Sequence, residues 1–321
     1  MTQPPDGWTS PSATPPGWAA PGGAPTPPPP PSPPPGYAAP PPGYPPPTGS
    51  WDMKPGIVPL RPLGVGEILD GALTAVRRVP NLLLPSAAIA LLNTLLTFAL
   101  QASLLRVNDD ASSGDAAALL LGLVLTLAVT SISGLLLASL AAVVVREGVL
   151  GRKVTMSAAW REVRPRLGTV VGAGILGTLG WVVASITIIG GIFLYVAWHF
   201  ATVVAVVEGG TVRGVLSRSM RVVRSMWWRA FGVLLLVSIV AGVVSNIMSL
   251  PFVVIGGGTA SLLGSNDLST GALAVSDIGH LIAATLVTPF TTCATALLYI
   301  DLRMRGEGLD VALRQAATNP S

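Results

Sequence analysis

Charge is what this chain of 321 residues lacks over most of its length. Lys, Arg, Asp and Glu are all absent from residues 79–105, 116–145, 167–207, 230–266 and 278–300. Charged residues make up 11% of the whole, against about 25% in an average soluble protein, so a water-soluble globule is excluded. Cysteine is nearly missing too: the single Cys293 allows neither an intrachain disulfide nor a CxxC zinc site. The first residues hold no basic segment followed by an apolar stretch, so no signal peptide is expected and insertion should begin at the first apolar run. No GxSxG, HExxH or P-loop pattern occurs.

The uncharged runs themselves are apolar and continuous. A helix needs about 20 residues to cross the ~30 Å hydrocarbon core. The first, second, fourth and fifth runs each supply one span, and the third, at 41 residues, supplies two with a turn at Gly190-Gly191. The expected fold class is therefore all-α: a polytopic membrane bundle with spans near 81–105, 118–145, 169–188, 191–207, 230–254 and 279–300.

Ahead of the bundle, residues 1–50 carry 21 of the 30 prolines and almost no aliphatic side chains. Proline fixes φ and donates no hydrogen bond, so a disordered tail with polyproline II character is expected over residues 1–57. Its units Pro15-Pro16-Gly17-Trp18, Pro34-Pro35-Gly36-Tyr37 and Pro41-Pro42-Gly43-Tyr44 suit either a soluble low-complexity tail or a ligand for an aromatic-lined groove on a protein partner. The membrane domain is expected over 58–313, with a short tail at 314–321.

Residues 63–78, bracketed by Pro62 and Pro80, read as an amphipathic helix with Ile68, Leu69, Ala72, Leu73 and Val76 on one side. Similar elements, each with a valine-arginine pair, precede the third and fifth spans at 159–164 and 219–224. The even-numbered spans run into Glu147-Gly148, Glu208-Gly209 and Glu307-Gly308. Three repeated units are expected, each an interfacial helix followed by a transmembrane hairpin.

Orientation follows from the loops. All Lys and Arg but Arg106 fall in the segment before span one, the loops after spans two and four, and the C-terminal tail. The opposite side holds Arg106 with Asp109, Asp110, Asp115, Asp267 and Asp277. The positive-inside rule places both termini in the cytoplasm of a cell-membrane protein. Topology thus accounts for the net charge of +4, and with no base-reading motif nucleic acid is not an expected partner.

Three segments resemble a known family: Arg61 to Ala72 (RPLGVGEILDGA); Val207-Glu208-Gly209 with Ser217-Arg218-Ser219 and Trp227-Trp228-Arg229; and Leu297 to Asp310 (LLYIDLRMRGEGLD). Together they resemble the six-span membrane domain of glycerophosphoryl diester phosphodiesterases, which also occurs as stand-alone proteins. The resemblance covers roughly 58–313 and implies the fold, not the activity. The phosphodiester chemistry of that family belongs to a soluble barrel of about 250 residues, and the loops between spans here are far too short for one. Members often turn with Pro-Gly between spans three and four, where this chain has Gly190-Gly191.

Few side chains in the spans suit chemistry, and no cofactor or catalytic pair is expected. His199 lies near the middle of span four, either as a functional group or as a neutral partner for a neighbouring helix such as Asn246 or Thr292. Ala173, Gly177, Gly180 and Ala184 in span three, and Ser238, Gly242 and Asn246 in span five, mark packing seams or a substrate path. In 212–227, Val212, Val215, Leu216, Val223 and Met226 form an apolar stripe and Arg218, Arg221 and Arg224 a basic one. These arginines, with Arg161 and Arg164, are the candidates for anionic lipid headgroups. The expected function is a non-enzymatic membrane scaffold or accessory protein meeting anionic lipid and protein partners. The alternative is a transporter or lipid-handling protein with a cavity between hairpins, faced by His199.

Overall fold

The computed structural model describes residues 56–59, 61–107, 113–256 and 270–308. Most of the proline-rich tail and the C-terminal residues 314–321 lie outside them. All regular structure among the described residues is helical: α1 Val65–Arg78, α2 Leu83–Val107, α3 Ser113–Val149, α4 Met156–Val163, α5 Leu167–Ala184, α6 Ile188–Trp198, α7 Ala201–Val207, α8 Val212–Arg224, α9 Trp227–Ile255 and α10 Thr270–Glu307. Six segments are long and apolar enough to cross a membrane: Pro80–Leu104, Ala117–Val149, Met156–Ala184, Ile188–Val207, Trp227–Ile255 and Thr270–Glu307. This is the architecture of a multi-pass membrane protein.

Consecutive long helices pair as hairpins, α2 with α3, α5 with α6 and α9 with α10. A short amphipathic helix leads into each. In α1 the Glu67 carboxylate accepts the Gly64 N–H at 2.6 Å, and Arg77 and Arg78 sit at the C-terminal end, where the helix dipole favours cations. Thr155 and Thr211 cap α4 and α8 through their hydroxyls. The buried face of α1 is Ile68, Gly71, Ala72 and Ala75, while Leu73 of the expected stripe is exposed. On α8 the buried positions are Val215, Leu216, Ser219, Val222 and Val223.

Several sequence-based expectations are corrected. The turn between spans three and four lies at Ser185–Thr187, not at Gly190-Gly191, which falls inside the first turn of α6. Hydroxyls make the turn: Ser185 donates to the Trp181 carbonyl at 2.7 Å and Thr187 to that of Ala184 at 3.1 Å. The glycines let α6 fold back closely, since a Cβ on Gly190 would lie 2.5 Å from Thr187 Oγ1. Span four is not one helix but breaks at His199-Phe200 between α6 and α7. The small residues of span three do form a seam, with Gly177 facing Leu216 and Gly180 facing Trp198. Those of span five do not: Ser238 and Asn246 are exposed, and Asn246 bonds its own helix at Gly242. Just before the expected start of the domain at 58, Ile57 is buried and its N–H donates to the Gly148 carbonyl at 3.0 Å.

The Glu-Gly ends match in two units of three. Gly209 and Gly308 both take left-handed φ, +74° and +63°, and end α7 and α10. α3 instead continues through Gly148 to Val149, and the left-handed residue is Gly151.

Burial is uneven along the bundle. The core is built from α1, the last third of α3, all of α7, the inner face of α8, the start of α9 and the last third of α10. Toward the other end the long helices expose Leu120, Val124, Leu127, Ile278, Ile282 and Leu286.

Candidate functional site

The three resembling segments converge at the well-packed end. Leu63 from the first lies against Arg229 from the second and Asp301 and Arg305 from the third. Asp301 is fully buried. Its Oδ1 accepts the Leu63 N–H at 2.8 Å and Arg305 Nε at 2.9 Å, and its Oδ2 accepts Arg229 Nε at 2.8 Å. Both arginines also donate to the Leu63 carbonyl, at 2.7 and 2.8 Å. One carboxylate thus holds two guanidinium groups, and all three groups grip a single backbone residue. This lock pins the chain entering α1 to α9 and α10.

A second cluster lies beside it. Glu208, just past α7, accepts Arg218 Nε at 2.7 Å, and Glu307 at the end of α10 accepts Arg218 Nη2 at the same distance. Arg303 reaches both carboxylates, at 3.4 and 2.9 Å, and its guanidinium lies 5.9 Å from the Tyr299 ring centre. The Tyr299 hydroxyl donates to Glu208. Burial alone would raise the Glu208 pKa, but the hydrogen bonds from Arg218 and Tyr299 and the charge of Arg303 together hold it below the usual carboxylate range. Hydrogen bonds to Glu208 and Glu307 raise that of Arg218. The second and third Glu-Gly ends therefore meet on one arginine. At the first, Arg146 bonds Glu147 on its own helix and Glu162 of α4, at 2.6 Å to the latter, tying α4 to α3.

This separates the arginines that sequence placed together. Arg218 faces inward and is held by two carboxylates. It is three residues before Arg221 and six before Arg224, and at 3.6 residues per turn the three do not share one line. Arg221 and Arg224 are exposed, as are Arg161 and Arg164, and none of the four has a carboxylate partner among the described residues.

His199 sits at the break in span four. Its Nε2 lies 3.4 Å from Thr295 Oγ1 on α10, not beside Asn246 or Thr292, and its ring tilts against Tyr195 at 5.1 Å. The buried hydroxyl of Ser219 donates to the Ala197 carbonyl at 2.7 Å. That carbonyl's helical partner would be the N–H of Ala201, past the break. A side chain inserted into the helical ladder is a recognised cause of such kinks.

Near the lock a groove of about 640 Å³ opens between the first turns of α6 and the α8–α9 joint. Ile189, Ile192 and Phe193 form one wall, and Arg224, Trp227 and Phe231 the other. Phe193, Trp227 and Phe231 stack in series, with ring centres 6.0 and 5.2 Å apart, and Trp227 Nε1 donates to the Phe193 carbonyl at 3.4 Å.

Sequence reasoning missed Asp301, Glu208, Glu307 and Arg229 as members of a site. The recurring Glu-Gly ends were one signal, since they set carboxylates within otherwise basic segments. Comparison with family models, curated proteins and solved structures finds no match. No group of three or more His, Cys, Asp or Glu side chains is arranged to hold a metal among the described residues.

Proposed function

We infer that the protein is a non-enzymatic membrane scaffold or accessory protein whose basic face rests on the anionic cytoplasmic leaflet. The proline-rich tail then serves as a ligand for protein partners. The observation that carries the reading is the division among the arginines. Arg146, Arg218, Arg229, Arg303 and Arg305 are taken up by carboxylates within the fold, while Arg161, Arg164, Arg221 and Arg224 stand exposed on amphipathic segments. Basic side chains near an anionic surface contribute ~1 kcal/mol each, and amphipathic helices of this kind lie in the interface. In the segments that resemble the six-span phosphodiesterase membrane domain, Leu63, Arg229, Asp301 and Arg305 join in packing and ion pairing, which fits a structural role.

Purifying the full chain from native membranes and measuring the co-purified lipids tests this. Replacing Arg161, Arg164, Arg221 and Arg224 together with Gln should reduce the anionic fraction several-fold while the chain still inserts. An unchanged fraction sinks the lipid reading.

A transporter reading draws on one observation, the broken span with His199 at the break, since discontinuous helices line substrate sites in many transporters. His199 is not among the groove-lining residues. Solute uptake abolished by both His199→Asn and His199→Leu, at unchanged stability, would favour transport.

A further inference from the structure

We propose that the groove between α6 and the α8–α9 joint is a specific site for one anionic phospholipid, with an acyl chain along Ile189, Ile192 and Phe193 and the phosphate on Arg224. This rests on the reading that the basic face meets anionic lipid, and adds to it a defined pocket for a single molecule.

The size, about 640 Å³, is that of ligand pockets in general, roughly 300–1,000 Å³. The walls are apolar and the aromatic floor is rigid, because Trp227 is stacked on both sides and hydrogen-bonded to Phe193. The only cations at the groove are Arg224 and Arg229 among the described lining residues. Arg229 is engaged with Asp301 and the Leu63 carbonyl. Arg224 is exposed and has no carboxylate partner among the described residues. An apolar slot ending in one unpaired guanidinium complements an amphiphile with an anionic head. Trp228 at the mouth is 79% exposed, and such a ring favours the level between headgroup and hydrocarbon. A free inorganic anion would leave the apolar walls uncovered, and in a zwitterionic lipid the headgroup ammonium would compete with Arg224 for the phosphate. The sequence row of Arg218, Arg221 and Arg224 suggested diffuse attraction along a helix. The structure instead singles out the last of them, because of the three it is the one that lines this groove.

The test uses the full chain in detergent, loaded with phosphatidylglycerol or, separately, phosphatidylethanolamine, and native mass spectrometry after extensive detergent washing. One phosphatidylglycerol per chain should survive washing, and phosphatidylethanolamine should not. Arg224→Gln should weaken retention roughly five-fold, and Ile192→Trp, which fills the slot, should abolish it while Arg161→Gln leaves it unchanged. Dodecyl phosphate should displace the lipid and inorganic phosphate should not. A phosphatidylglycerol carrying a photoreactive group in its acyl chain should label peptides containing Ile189 to Phe193 in the unmodified protein, so the proposal does not depend on any variant folding. Labelling confined to other spans, or retention equal in wild type and Ile192→Trp, overturns it. If Arg224→Gln weakens binding but Ile192→Trp does not, the groove proposal fails while the broader lipid reading stands. If anionic lipid is not enriched at all, both fail.

Discussion

The two ends of this bundle hold together by different means. At the arginine-bearing end, α10 is buried from Cys293 to Met304 at most positions, α7 is buried from Ala201 to Val206, and Asp301, Glu208 and Glu307 are each gripped by an arginine from another element. At the opposite end the same long helices leave Leu120, Leu121, Val124 and Leu127 of α3 largely exposed. Apolar surface gains nothing by leaving lipid for another helix, because hydrocarbon tails are as apolar as leucine. The end near water and headgroups must bury its apolar face as a soluble domain does. Specificity of fold is therefore concentrated where the chain is least like a membrane span.

The sharpest way to break this comparison is Asp301→Ala. Removing one partner from a buried ion pair typically costs about 3–5 kcal/mol, and here two arginines and the Leu63 N–H lose their acceptor together. Thermal unfolding in detergent should show a large drop, whereas Leu127→Ala at the other end, 58% exposed, should change stability by less than about 0.5 kcal/mol. Equal effects at both ends would collapse the distinction.

Glu208→Gln should cost about 1–3 kcal/mol, the scale of hydrogen bonds to charged groups. Its pH dependence sharpens the point. Because the folded pKa lies below the unfolded value, Glu208 stabilises fully above the unfolded carboxylate pKa of about 4.3, and that stabilisation is lost as pH falls through the lower folded value. The gap in melting temperature between wild type and Glu208→Gln should be constant near neutrality and close below about pH 4. A gap that widens in acid would reverse the assigned direction.

At the break in span four smaller effects are expected. Ser219→Ala removes the hydroxyl from the Ala197 carbonyl and His199→Leu removes the contact with Thr295; each should cost ~1 kcal/mol, and His199→Asn less. A structure of Ser219→Ala with α6 and α7 joined would show that the hydroxyl holds the break open, and an unaltered break would show that it only fills it. The smallest effect belongs to the tail. Deleting residues 1–50 should leave the melting temperature unchanged, while a deletion reaching Val58 should lower it, because Ile57 and Val58 are 2% and 1% exposed.

Much of the fold was legible because its signals are composition and length. Uncharged runs located all six long segments, and the prolines at 62 and 80 bracketed α1. What escaped depended on contacts between distant residues. Nothing local marks His199-Phe200 as a break, since its apparent cause, Ser219, lies on another helix. Arg218 and Arg224 have the same chemistry, and only the position of Glu208 and Glu307 makes one structural and leaves the other free. Asp301 reads as an ordinary polar residue at a span end until Leu63, 238 residues away, is seen to fill it. Glycine reads as the turn former in the sequence, whereas backbone N–H groups and the hydroxyls of Ser185 and Thr187 close the turn and glycine permits the helix after it.

The groove also acts as a ruler. α9 runs for 29 residues, about 43 Å at 1.5 Å per residue, yet the first turn of α6 borders the very start of α9. The Ser185–Thr187 turn is thus moored near the arginines, whatever the lengths of the helices it joins. It carries no charge, so loop counting is blind to its position. Ile186 within it and Ile188 and Ile189 just after it are 86%, 79% and 84% exposed. Spin labels at Ile186 and Trp228 should report a short distance, and a separation near the full length of α9 would refute the mooring. Arginines drawn to headgroups and isoleucines drawn to hydrocarbon then act on one rigid piece like a float and a keel. Their balance sets the draught at which this end of the protein rides, and a thinner or more highly charged bilayer would be felt first there.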